Sequence, residues 1–242
     1  HHKEEKFTMK LKKIASLAMA GVMAVSMLAG CSGTNVDDDN DVVVTPSASS
    51  IVTAVNNGQS AANAVKVEFT SDSELDAALK VTADALGADA SEEAVANYMN
   101  RLIGLPADHD FDGMMGFYAM AQAATNMQTD VDDYNNVSYT ALDVIKIDDM
   151  MTEKAAERMA ADTVDTQLAN LKVTTCSNEA GLVDYGDSYV LVNKTEIGDK
   201  YVDFTYAGNV SMVSIVDADG TTSYYVVYTV TQTGAVKTLD RA

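Results

Sequence analysis

Residues 201–231 read YVDFTYAGNVSMVSIVDADGTTSYYVVYTVT, and this stretch decides the predicted fold. Apolar and polar residues alternate along most of it, which is the two-residue period of half-buried strands. Gly208-Asn209 and the run 217–220 are typical turn sequences. With one further strand before them, these segments predict a four-stranded antiparallel meander. Its strands are predicted at 189–192, 201–206, 210–216 and 224–231.

Tyrosines are concentrated in this region, where seven of the 11 in the chain lie between Tyr185 and Tyr228. A sheet lined with aromatic side chains could hold a sugar or a peptide. Aromatic residues also stabilise sheets by pairing across neighbouring strands. The second interpretation is favoured, and the first remains an alternative.

The region from residue 60 to 171 has mostly the apolar spacing of helices. Ser71–Glu74 resembles a capping box, and Ser91 precedes two glutamates that suit the first turn of a helix. The predicted elements are a strand at 65–69, a helix from the capping box to Gly87, a helix from Ser91 to 104–106, a helix at 114–126, a strand at 139–147, and a long helix at 149–171 capped by Asp148 or Asp149.

The chain is therefore predicted to be α+β. A helical N-terminal half precedes the four-stranded antiparallel meander, and the one long helix packs on a face of that sheet. Residues 60–242 form a single domain in this prediction, with a helical part at 60–171 and a sheet part at 172–242.

The N-terminal segment has the order of an export signal. Residues 1–8 are interpreted as an extension, after which Lys10, Lys12 and Lys13 precede an uncharged run from Ile14 to Ala29. That run is shorter than the roughly 20 residues of a membrane-spanning helix. It ends at Leu28-Ala29-Gly30-Cys31, which resembles the lipobox of bacterial lipoproteins.

This resemblance implies that residues 1–30 are removed and that the thiol of Cys31 carries a lipid. The product would be extracytoplasmic and anchored to the bacterial membrane through that lipid. The next segment, 31–59, contains a run of aspartates and then serines, so it is predicted to be an extended tether.

The charge balance excludes one class of partner. The chain has 16 Lys and Arg against 36 Asp and Glu, a formal net charge of -20. Residues 1–30 hold five of the basic and two of the acidic residues, so the remainder carries -23. Such a polyanion repels phosphate backbones, and no nucleic-acid partner is expected.

One short motif could bind a metal ion. Asp108-His109-Asp110-Phe111-Asp112-Gly113 resembles the start of an EF-hand calcium loop. The resemblance implies side-chain ligands from Asp108, Asp110 and Asp112 and a carbonyl ligand from Met114. Ala119 stands at the twelfth position, where that family has a bidentate carboxylate, so only weak Ca²⁺ binding is expected. An aspartate-rich loop that caps a helix is the alternative, and no other cofactor is predicted.

No nucleophile, zinc or phosphate-loop motif is present, so no catalytic residue is assigned. The leading hypothesis is a lipid-anchored binding or interaction module of the cell envelope, with an envelope protein or a glycan as partner. A calcium-stabilised module that uses residues 108–113 and an envelope enzyme with unassigned catalytic residues are the alternatives.

Overall fold

The computed structural model describes residues 42–44, 48–106, 135–148, 152–169, 171, 174–176, 183–184 and 200–238. Four helices and seven strands lie in these ranges. In chain order they are β1 (Val42–Val44), α1 (Ala48–Gly58), β2 (Glu68–Thr70), α2 (Ser73–Leu86), α3 (Glu92–Ile103), β3 (Ser138–Ile147), α4 (Glu153–Leu168), β4 (Thr174–Cys176), β5 (Val183–Asp184), β6 (Lys200–Val216) and β7 (Thr222–Thr238). The predicted α+β class is confirmed.

The sheet is mixed, and the predicted simple meander is wrong. β6 and β7 form a long antiparallel hairpin, and β3 pairs with the other edge of β7. Three short strands follow one another along the remaining edge of β6. β4 pairs with residues 201–203 and β1 with 214–216, both antiparallel, while β2 pairs with 207–209 in parallel. β5 pairs with β4.

The strands predicted at 201–206 and 210–216 form one continuous strand, β6, and Gly208 does not interrupt it. It lies inside β6, directly opposite Phe69 of β2. A Cβ atom at residue 208 would lie 2.5 Å from two carbons of the Phe69 ring. The glycine is therefore needed because another chain segment packs closely against the strand at this position, and not because the chain turns there. The predicted turn at 217–220 is confirmed, and there Asp217 accepts from the backbone N–H of Thr221 at 2.8 Å.

Helices lie on both faces of the sheet. α1 and α4 pack on one face, which buries Ile145, Val210 and Val226. α2 and α3 pack on the other, against Val144 and Val213. The alternation of burial along each strand follows from the two-residue period of side-chain direction. The prediction that the long helix covers one face is correct, but the fold has a second helical layer on the opposite face.

The helix starts agree with local sequence signals, with small shifts. Asp72, inside the predicted capping box, is the N-cap of α2 and accepts from Glu74 and Leu75 N–H groups at 2.8 Å. Ser91 caps α3 as predicted. The cap of α4 is Thr152 and not Asp148 or Asp149. Asp148 instead follows β3 and accepts a hydrogen bond from Ser223 at 3.3 Å.

The predicted tether at 31–59 is wrong for residues 48–58. These form α1, whose Ile51 and Val55 are buried in the core beside α4. Asn56 also exchanges two hydrogen bonds of 2.9 Å with the backbone of Phe69, which joins α1 to β2. The folded domain therefore begins before residue 60. The predicted helix at 114–126 and the predicted strand at 189–192 lie outside the described residues.

Candidate functional site

The residues singled out in the sequence for lipid or calcium lie outside the described part of the chain. These are Cys31, Asp108, Asp110, Asp112 and Met114. Within the ranges that the structure describes, no group of three or more His, Cys, Asp or Glu could hold a metal ion. No helix in those ranges is long and apolar enough to cross a membrane.

The tyrosines of β7 belong to the core. Tyr225 is fully buried, and its hydroxyl lies 2.8–3.1 Å from the carbonyl oxygens of Gly87, Ala88 and Ala90. Tyr228 is fully buried on the other face and donates to Asp143 at 2.8 Å. Burial is the main reason that the pKa of Tyr228 is raised well above 10, and the negative charge of Asp143 raises it further. Both side chains are therefore core residues, and neither lines a ligand surface.

A polar surface lies on the α2–α3 side of the sheet, beyond the end of the helices. It is named the hydroxyl face. It is formed by Ser138 and Thr140 of β3, Thr205, Ala207 and Asn209 of β6, and Thr229, Thr231 and Thr233 of β7. The strand registers place these residues in adjacent positions on one side of the sheet.

The hydroxyl face exists because the helices cover only half of this side. The apolar positions packed against α2 and α3 end at Leu142, Val213 and Val227. Beyond them, Thr205 and Ala207 are exposed. The opposite side stays buried over the same rows, at Val202 and Phe204 among others. The two sides of β6 therefore differ at one end of the sheet: one is core and the other is open and polar.

Cross-strand hydrogen bonds organise the hydroxyl groups. The Ser138 and Thr233 hydroxyl oxygens are 2.8 Å apart, and those of Thr140 and Thr231 are also 2.8 Å apart. One hydroxyl hydrogen is used between the members of each pair. In the Ser138–Thr233 pair the second hydroxyl hydrogen can then be directed toward a ligand, because each hydroxyl is both a donor and an acceptor.

Among the described residues, the charged groups near the hydroxyl face lie at its margin. Lys237 forms an ion pair with Asp203 next to the outermost row. Glu68 lies on β2 beside Ala207, and Asn209 donates to Thr70 of β2 at 2.9 Å. The residues that form this surface, from Ser138 to Thr233, are therefore all uncharged within the described part of the chain.

A carboxyl group with an altered pKa marks the boundary between the hydroxyl face and α2. Asp76 accepts a hydrogen bond of 2.6 Å from Ser211, the residue two positions after Asn209 on β6. Burial raises the pKa of Asp76 above its ordinary value of 3.8. The hydrogen bond from Ser211 lowers it in part, and the charge of Asp72 raises it further. Asp76 is thus a partly desolvated acid at the edge of a polar surface.

Replacing Asp76 by asparagine is expected to change how stability depends on pH. Because the folded pKa is raised, the native state binds the proton more tightly than the unfolded chain. The resulting stabilisation is complete below pH 3.8 and is lost as the pH rises through the folded pKa. Urea denaturation of wild type and Asp76→Asn across this range should give a difference that grows with pH in favour of the variant.

Ser211→Ala provides the matched comparison for that experiment. It removes the hydrogen bond that lowers the pKa of Asp76, so the pKa of Asp76 in the folded state should rise. The stabilisation by the protonated carboxyl group should then be lost over a range that extends to higher pH. Parallel stability curves for wild type and Asp76→Asn would contradict the assignment.

Three buried side-chain atoms have no hydrogen-bond partner among the described residues. They are Oδ1 of Asn100, Oε1 of Glu157 and Oε1 of Gln232. Asn100 lies on α3 and the other two lie on the opposite side of the sheet. They do not converge on one site, and the hydroxyl face remains the best-defined candidate surface.

Sequence patterns held one signal for this surface. Thr229-Val230-Thr231-Gln232-Thr233 places a threonine at every second position, which predicts a strand with a row of hydroxyls on one side. The partners from β3 and β6 had no comparable signal, because their positions depend on pairing between distant parts of the chain. In comparisons with known proteins, no family model, no curated protein and no solved structure matches this chain.

Proposed function

We propose that the chain is a lipid-anchored binding module of the bacterial cell envelope and that its ligand binds the hydroxyl face. The observation that carries the proposal is a continuous, partly exposed polar surface without ionised groups in its interior. The anchor is supported by the sequence around Cys31, and the surface by the geometry of β3, β6 and β7.

The chemistry of the hydroxyl face favours an uncharged ligand rich in hydrogen-bonding groups. Paired threonine and serine hydroxyls donate and accept equally well, as do the hydroxyls of a polysaccharide. A cationic partner would gain more from the acidic surface elsewhere on the chain. A neutral glycan of the envelope is therefore the ligand class that this surface fits.

Placing one negative charge on the hydroxyl face tests the proposal. Thr205→Glu introduces a carboxylate at an exposed position, where it would have to lose water when a neutral ligand binds. We expect this loss of water to cost about 1.4 kcal/mol of binding free energy, which weakens binding of Thr205→Glu about tenfold. The measurement is co-sedimentation of the purified protein with an insoluble, neutral cell-wall polysaccharide.

Thr166→Glu is the control, because Thr166 is exposed on α4 on the other side of the sheet and the substitution adds the same charge. It should leave binding unchanged. Equal binding by wild type and Thr205→Glu, or no binding of the neutral polysaccharide by wild type, would contradict the glycan proposal.

The calcium-stabilised and enzymatic alternatives gain no support from the described residues. The loop 108–113 lies outside them, and among them no group of three or more His, Cys, Asp or Glu could hold a metal ion.

A further inference from the structure

The position of β1 defines two opposite ends of the sheet. Val42 pairs with Val216, the last residue of β6, and Val44 pairs with Ser214. The chain therefore enters the domain at the end of the sheet where β6 turns into β7. The outer rows of the hydroxyl face, at Thr205 and Thr233, lie toward the other end of the same hairpin.

The separation of these ends is large for a domain of this size. Thr205 and Val216 are 11 positions apart in a continuous strand. At a rise of about 3.3 Å per residue, they are separated by about 36 Å along the strand direction. The entry point of the chain and the outer part of the hydroxyl face are therefore clearly distinct places on the molecule.

The chain between the lipidation residue and the sheet is short. Cys31 and Val42 are also 11 positions apart. A fully extended segment of this length reaches at most about 40 Å, and a flexible coil averages about 18 Å.

We infer that the β1 end of the sheet faces the membrane and that the hydroxyl face is displayed at the far end, away from it. This inference rests on the proposed lipid anchor at Cys31. The connection keeps the entry point about 18 Å from the lipid surface on average and never beyond about 40 Å, so the ligand surface, up to about 36 Å further along the strand, lies farther from the membrane on average.

Energy transfer to labelled lipids tests the orientation. The lipidated full chain, carrying a fluorescent donor on an azide-bearing amino acid at Ala218 or at Thr205, is bound to phosphatidylcholine vesicles that contain phosphatidylglycerol and a headgroup-labelled acceptor. Ala218 is exposed in the β6–β7 turn, and Thr205 is exposed at the far end. Transfer from residue 218 should be severalfold more efficient than transfer from residue 205.

Two controls separate the anchor from the orientation. Cys31→Ser should abolish flotation of the protein with the vesicles, and a flexible Gly/Ser insertion after residue 36 should reduce the difference between the two donor positions. If the wild-type chain does not float, or if Cys31→Ser floats equally well, the proposed anchor is wrong and the orientation falls with it. If the wild type floats but the two donors transfer equally, or the donor at 205 transfers more, only the orientation is wrong.

Discussion

Gly208→Ala is expected to destabilise the domain by about 3 kcal/mol, at the upper end of the usual cost of overpacking a core. The new methyl group would lie 2.5 Å from two carbons of the Phe69 ring, which is too short for a contact between non-bonded carbon atoms. Phe69 itself is fully buried and contacts Tyr228 edge-on, at 6.3 Å between ring centroids. The ring therefore has little room to move, and β2 would have to shift away from β6.

A double-mutant cycle measures whether the Phe69 ring is the cause. Phe69→Ala alone leaves a cavity and should cost about 3 kcal/mol or more. In that background the added methyl group at residue 208 meets no ring, so Gly208→Ala should cost far less than in wild type. Chemical denaturation of the four proteins gives the coupling energy. A cost of Gly208→Ala below about 0.5 kcal/mol in wild type, the size of an ordinary surface substitution, would contradict the proposed packing.

Val55→Asp is expected to prevent stable folding. Val55 is a fully buried residue of α1, and among the described residues it belongs to a cluster of apolar side chains that cannot neutralise a carboxylate. An unpaired buried charge costs several kcal/mol, which is a large fraction of the stability of an ordinary domain. Circular dichroism and thermal melting should show a strongly lowered or absent transition.

Thr53→Asp is the control for that experiment. Thr53 lies on the same helix but is exposed, so the same charge should change the melting temperature little. If Val55→Asp also melted like wild type, then residues 48–58 would be a tether after all, and α1 would not belong to the core.

Much of the local structure was predictable from sequence because it depends on near neighbours. Asp72 and Ser91 accept hydrogen bonds from residues two or three positions ahead, and these bonds start α2 and α3. The turn after β6 is closed by Asp217 and Thr221, four positions apart. Side chains of Ser, Asp and Thr at such positions favour the same geometry in most contexts.

The errors arose where a residue's role depends on a distant partner. Gly208-Asn209 has the composition of a turn, but the Phe69 ring from β2 makes the glycine part of a strand. Residues 48–58 follow an acidic, serine-containing segment, but Ile51 and Val55 contact α4 and the sheet. Asp148 resembles a helix cap, yet Ser223 binds it at the end of β3.

The candidate surface shows the same division. Alternating threonines in β7 are visible in the sequence, and they predict a row of hydroxyls on one side of a strand. Which side is open depends on how far α2 and α3 extend over the sheet, and they end at the level of Leu142, Val213 and Val227. Helix placement results from packing between segments that are far apart in the chain, so periodicity alone does not contain it.

Short-range patterns in the sequence were enough to predict the α+β class, the starts of α2 and α3 and the β6–β7 turn, because each depends on near neighbours. The fold was needed to show that β6 is one continuous strand, that α1 belongs to the core, and that the described residues leave one half of a sheet face open and polar. These features depend on pairing and packing between distant residues. The ring of Phe69, for example, requires a glycine within a strand more than 100 positions away.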